Sequence, residues 1–92
     1  MNKILIGHKA RGSYYESLGM HQEAIDSYSK CLELPDVWRS LALAYSDIDD
    51  LENAISAFEE AVNSGDLKSV PWLVELLQAH RPTDPQLPIL KK

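Results

Sequence analysis

One cysteine, Cys31, is present among the 92 residues. No internal disulfide can form, so the fold must rest on packing, and the composition fits a reducing compartment. No apolar run approaches the roughly 20 residues that span a bilayer. The opening MNKILIGHKARG has one short apolar run and neither the length nor the small-residue cleavage site of a secretory leader. The expectation is a cytoplasmic protein without a membrane span.

Positive charge is also scarce. Nine Lys and Arg stand against 14 Asp and Glu, giving a net charge of −5. No Lys or Arg occurs between Arg39 and Lys68, whereas Asp47, Asp49, Asp50, Glu52, Glu59, Glu60 and Asp66 all fall there. Direct nucleic-acid binding needs a basic face, and this balance opposes one. The acidic stretch reads as a solvated outer face, or as a patch that meets a basic partner or imitates a phosphate backbone.

Catalytic signatures are missing as well. His8, His21 and His80 are far apart in sequence and, with Cys31, give no metal-ligand spacing. There is no nucleophile motif, phosphate loop or dinucleotide fingerprint. Carboxylate pairs such as Glu59–Glu60 read as solvated face. The expectation is a protein that is not an enzyme and needs no cofactor or metal.

What is present is a repetition. QEAIDSYSKCLEL, residues 22–34, is echoed by ENAISAFEEAVNS, residues 52–64. Ala24, Ile25, Tyr28, Cys31 and Leu32 match Ala54, Ile55, Phe58, Ala61 and Val62 at an offset of 30. Each set has the i, i+1, i+4, i+7, i+8 spacing of one helix face. Upstream, Tyr15 matches Tyr45 and Leu18 matches Ile48.

The unit is therefore a pair of helices. The pattern predicts helices over about 2–18, 21–34, 35–48, 51–64 and 69–81. Pro35 suits a first helical turn, Asp50 suits an N-cap, and Gly65 suits a C-terminal stop. Pro71 must lie in a first turn, and Pro82 ends the last helix. Residues 1–81 form the helical domain, and 82–92, with three prolines, read as an extended tail. Gly7 and Gly12 weaken the first helix, unless Gly12 admits a close neighbour.

These residues resemble the tetratricopeptide repeat (TPR) family. Trp38, Leu41, Ala42 and Tyr45 fill the first-helix positions of its pattern, and Ala54, Phe58 and Ala61 the second-helix positions. The first unit offers Gly12, Tyr15, Gly19, Ala24 and Tyr28, with Cys31 where Ala is usual. Trp72 opens a third unit 34 residues after Trp38, and that unit stops after one helix. Departures are His8 and Arg11 for Trp and Leu, Asp49 for the turn glycine, and a linker before Trp38 that is four residues short.

The resemblance implies an all-α, right-handed α-α superhelix of antiparallel hairpins, with about 2.5 repeats and five helices. It implies a non-catalytic scaffold that binds a peptide or protein segment in a concave groove. By position, Lys9, Ser13 and Glu16 would line that groove from helix one. Arg39, Leu43 and Ser46 would line it from helix three, and Leu73, Leu77 and His80 from helix five. The ligand would then carry apolar side chains and an acidic group. The carboxylate clamp of some members is incomplete, because Lys9 matches but its asparagine positions hold Ala10 and Ser13.

Helix five is apolar around most of its circumference. The tail residues Leu87, Ile89 and Leu90, a second copy docking through Trp72, Leu73 and Leu76, or another partner could cover it. Two alternatives therefore stand beside the groove: an oligomer assembled through this helix, and an acidic inhibitor of a nucleic-acid-binding protein.

Overall fold

The computed structural model describes residues 3–91. Among them six α-helices and no strand occur: α1 Lys3–Ser17, α2 His21–Tyr28, α3 Val37–Asp47, α4 Leu51–Asn63, α5 Val70–His80 and α6 Leu87–Leu90. The expected start of the first helix at Asn2 lies outside the described residues. Neighbours in sequence are neighbours in space: α1 packs on α2, α2 on α3, α3 on α4, and α4 on α5.

The two hairpins are built by the same backbone chemistry. At the first turn, the amides of Leu18 and Met20 both donate to the Tyr15 carbonyl, and that of Gly19 to Glu16. Thirty residues on, the amides of Ile48 and Asp50 donate to Tyr45, and that of Asp49 to Ser46. Such bonds occupy carbonyls that a helix end leaves open. They require a left-handed residue, supplied by Gly19 at φ 73° and Asp49 at φ 60°. Asp50 then caps α4, its carboxylate accepting from the Asn53 amide as expected.

The core runs through both units. Ala24, Ile25, Tyr28 and Cys31 are buried, as are their counterparts Ala54, Ile55, Phe58 and Ala61. Gly12 explains itself here: a Cβ at that position would lie 2.5 Å from a Tyr28 ring carbon. The absent side chain lets α1 and α2 close on the tyrosine.

Three expectations change. Helix two ends at Tyr28, not Leu34. The chain then runs through tight turns in which Cys31 stays buried, its thiol donating to the Ser27 and Tyr28 carbonyls at 3.6 and 3.5 Å. Those carbonyls lie at a helix end, and the thiol helps to satisfy them. Pro35 is consequently not in a helix; α3 begins at Val37 behind Asp36, which is left-handed at φ 68°.

The tail is not extended throughout either. Pro88 occupies an early position of the single turn α6, where its missing N–H costs nothing. Leu87 is buried in the core, and Leu90 packs against it. The tail is tied back by Gln86 Nε2, which donates to Glu59 at 2.6 Å, and Arg81 pairs with Glu52. Of the coverings considered for helix five, the fold-back of the tail is therefore present in part: Ile89 remains exposed.

Candidate functional site

The predicted groove positions divide into three groups. Leu73 and Leu77 are buried in the core, so they face other helices rather than a partner. The family register was carried onto a unit without a second helix of full length, and α5 turns these leucines inward. Leu73 is for the same reason not available to a second copy. Trp72 is 41% exposed, its ring lying flat against Phe58 at 6.0 Å with an interplanar angle of 8°, and Leu76 is half-buried.

The second group is polar and already engaged within the chain. Lys9 donates to the Pro35 carbonyl at 3.4 Å, and the hydroxyls of Ser13 and Tyr28 lie 3.4 Å apart. Glu16 meets His21 at 3.2 Å. Arg39 reaches Asp66 at 3.2 Å and Asp36 at 3.6 Å. Asp66 is a junction: its second oxygen accepts from the buried Ser69 hydroxyl at 3.1 Å, joining α3 to the 3-10 turn Leu67–Ser69 that leads into α5. Of the two cations assigned to the groove, Arg39 is thus paired with two carboxylates, and Lys9 meets a backbone carbonyl.

Leu43 and Ser46 form the third group, half-buried on α3, and His80 is exposed at the end of α5. Leu43 packs against the core margin.

Sequence reasoning missed a different face. Two clefts, of about 430 and 440 Å³, share Leu32 and Trp38 as a common wall. One reaches Arg39 and Asp66 beneath the 29–36 connection, and the other runs over Leu41 and Tyr45 toward Glu59 and Glu60 of α4. Trp38, Leu41 and Tyr45 follow i, i+3, i+7 on one face of α3, whereas Leu43 and Ser46 lie on another; of the predicted groove residues only Arg39 borders a cleft. α2 has 8 residues where α4 has 13, and the connection that follows its end at Tyr28 supplies Leu32 to both clefts. The four-residue deficit before Trp38 was the available signal.

The rims carry Glu33, Asp36 and Glu60, all exposed. Cys31 lies behind this wall as a buried thiol. Its burial pushes its pKa above the ordinary 9.0, Glu33 pushes the same way, and Lys9 opposes. That is the reverse of the shift a nucleophilic cysteine needs. No described helix is long and apolar enough to cross a membrane.

Two helical hairpins packed side by side at an offset of 30 residues, with a small residue closed against an aromatic ring, define a helical-repeat protein. The tetratricopeptide repeat family model matches residues 10–37 and 35–64, and the chain belongs to that family. Repeats of this kind generally mediate protein–protein interaction and are typically non-catalytic. Comparison with curated proteins and with solved structures found no match.

Proposed function

We propose that the protein is a non-catalytic interaction module that binds a segment of another protein across the Leu32–Trp38 face. In this reading the hairpins stack with the right-handed superhelical sense of the family. The observation that carries it is the pair of clefts left where α2 stops at Tyr28. An apolar side chain of the partner would enter beside Trp38, the kind of aromatic anchor that dominates binding energy at interfaces. Exposed Glu33, Asp36 and Glu60 at the rims favour Lys or Arg on either side of it. This replaces the acidic ligand expected from Lys9 and Arg39, because Arg39 is already paired with Asp66 and Lys9 with the Pro35 carbonyl.

The test uses Trp72→Phe, which leaves Trp38 as the sole tryptophan reporter. Peptides with a central Leu or Phe flanked by Lys should change its fluorescence saturably, and peptides flanked by Glu should not. Glu60→Lys should weaken binding, and raised salt should weaken it too. Binding lost through Leu43→Asp but kept in Glu60→Lys would return the site to the groove of Ser13, Leu43 and Ser46. Failure of every basic-apolar peptide to bind would overturn the reading. Light scattering on the same sample tests assembly through Trp72 and Leu76: a concentration-independent monomer removes it.

A further inference from the structure

The turn between α1 and α2 holds a constellation that the peptide-binding reading does not use. Glu16 lies near the end of α1, His21 opens α2, and Asp47 closes α3. The three are separated by up to 31 positions in sequence, yet one ligand atom from each lies within 4.8 Å of the others. His21 Nδ1 is 3.2 Å from Glu16 Oε2 and 3.6 Å from Asp47 Oδ2.

Those separations have a chemical meaning. Tetrahedral Zn²⁺ bonds to nitrogen and oxygen at about 2.0–2.2 Å, which sets neighbouring donor atoms about 3.3–3.5 Å apart. The two His21 distances bracket that value, and the third pair, Glu16 and Asp47, lies within 4.8 Å. A second observation points the same way. The other carboxylate oxygen of Glu16, Oε1, is buried and has no hydrogen-bond partner. The contact with His21 reaches Oε2 alone, whereas a cation held by both oxygens of the carboxylate, whose side chain is 24% exposed, would compensate Oε1 as well. Asp47 keeps about half of its side chain in solvent, so the cluster opens to water and an ion can reach it.

We propose that Glu16, His21 and Asp47 form a reversible binding site for a divalent transition-metal ion such as Zn²⁺. Neutral imidazole and two carboxylates balance the ion's charge, and water completes the coordination. The donor set is one nitrogen and two oxygens, which suits zinc better than calcium or magnesium. The ion would join α1 and α2 of the first hairpin to α3 of the second, so it would tighten the stacking between repeats. This site stands independently of the peptide-binding reading.

The test is isothermal titration of the whole, EDTA-treated chain with zinc chloride, together with thermal melts. Saturable one-to-one binding is expected, with a raised unfolding midpoint in the presence of zinc. His21→Gln and Asp47→Asn should each weaken binding by roughly tenfold or more, as loss of a supporting group at a metal site does. His8→Gln and His80→Gln should leave it unchanged. Amide shift mapping on the unmodified chain needs no variant: changes should centre on Glu16, His21 and Asp47. No saturable binding, equal binding by His21→Gln, or shifts centred elsewhere would overturn the proposal.

Discussion

The two hairpins share a plan and differ in how they fill it. In the second, α3 buries Val37, Leu41, Ala42 and Ala44, and α4 buries five residues along its length. In the first, α1 buries Gly12 alone among its residues, and His8 and Arg11 stand where Trp38 and Leu41 stand in α3. His8 and Arg11 do not reach inward; they bond each other at 2.7 Å on the surface. Among the described residues the second hairpin packs on α2 and on α5, and the first packs on α3. The open face of α1 is mixed, with Ile4, Ile6 and Tyr14 exposed beside the polar residues. The lesson is that a repeat is specified twice, once by its internal contacts and once by its place in the row.

That contrast can be broken most severely at Phe58. Its ring is the counterpart of Tyr28, is 1% exposed, and stacks on Trp72. Phe58→Ala should cost about 3–5 kcal/mol. Urea unfolding followed by circular dichroism should find the variant largely unfolded without denaturant, since domains of this size have little stability to spare.

The next effect separates the glycines of α1. Gly12→Ala should destabilise by about 1–3 kcal/mol, because its methyl group would sit 2.5 Å from a packed tyrosine ring. Gly7→Ala should do the reverse and stabilise by about 0.5–1 kcal/mol, since its nearest neighbour is the flexible Arg11 guanidinium at 3.7 Å. Urea midpoints of the two variants, measured side by side, check the opposed signs. Equal shifts would mean that Gly12 is not a packing glycine.

The turns offer a finer comparison. Gly19→Ala meets no neighbour within 4 Å, so its cost comes from the backbone alone, about 1 kcal/mol at φ 73°. Asp49→Gly should be neutral or stabilise by up to about 1 kcal/mol, because aspartate bears a left-handed strain there that glycine does not. Thermal melts resolve the pair.

The smallest effect concerns Cys31, whose partner in the second hairpin is the untitratable Ala61. The folded thiol has its pKa raised by burial first and Glu33 second. The unfolded thiol therefore ionises first. Stability is fully present below pH 9.0 and falls as pH rises above it, as the unfolded chain loses its proton while the folded one keeps it. Cys31→Ala should flatten that part of the stability–pH curve.

Much of this was legible in the residues. The offset of 30, both hairpin turns, the Asp50 cap and the inward faces of α2 and α4 follow from spacing alone. The end of α2 did not, because hydrophobic period reports burial and not hydrogen bonding. Cys31 and Leu32 keep helical spacing while lying in turns, and Cys31 is buried regardless. The groove residues were less legible. Position in the pattern put Arg39 on an open face, but spacing could not foretell that Asp66, 27 residues on, would claim it. Leu73 and Leu77 were misplaced because a pattern drawn from complete repeats was applied to α5, whose following segment is one turn of helix.

The matched turns at Gly19 and Asp49 have a practical consequence. A cassette cut between those two residues begins and ends at the same backbone geometry, so its ends can be ligated to another copy of themselves. The chain thereby supplies its own splice points, and a lengthened array could be made by duplication at these junctions without designing a new connector.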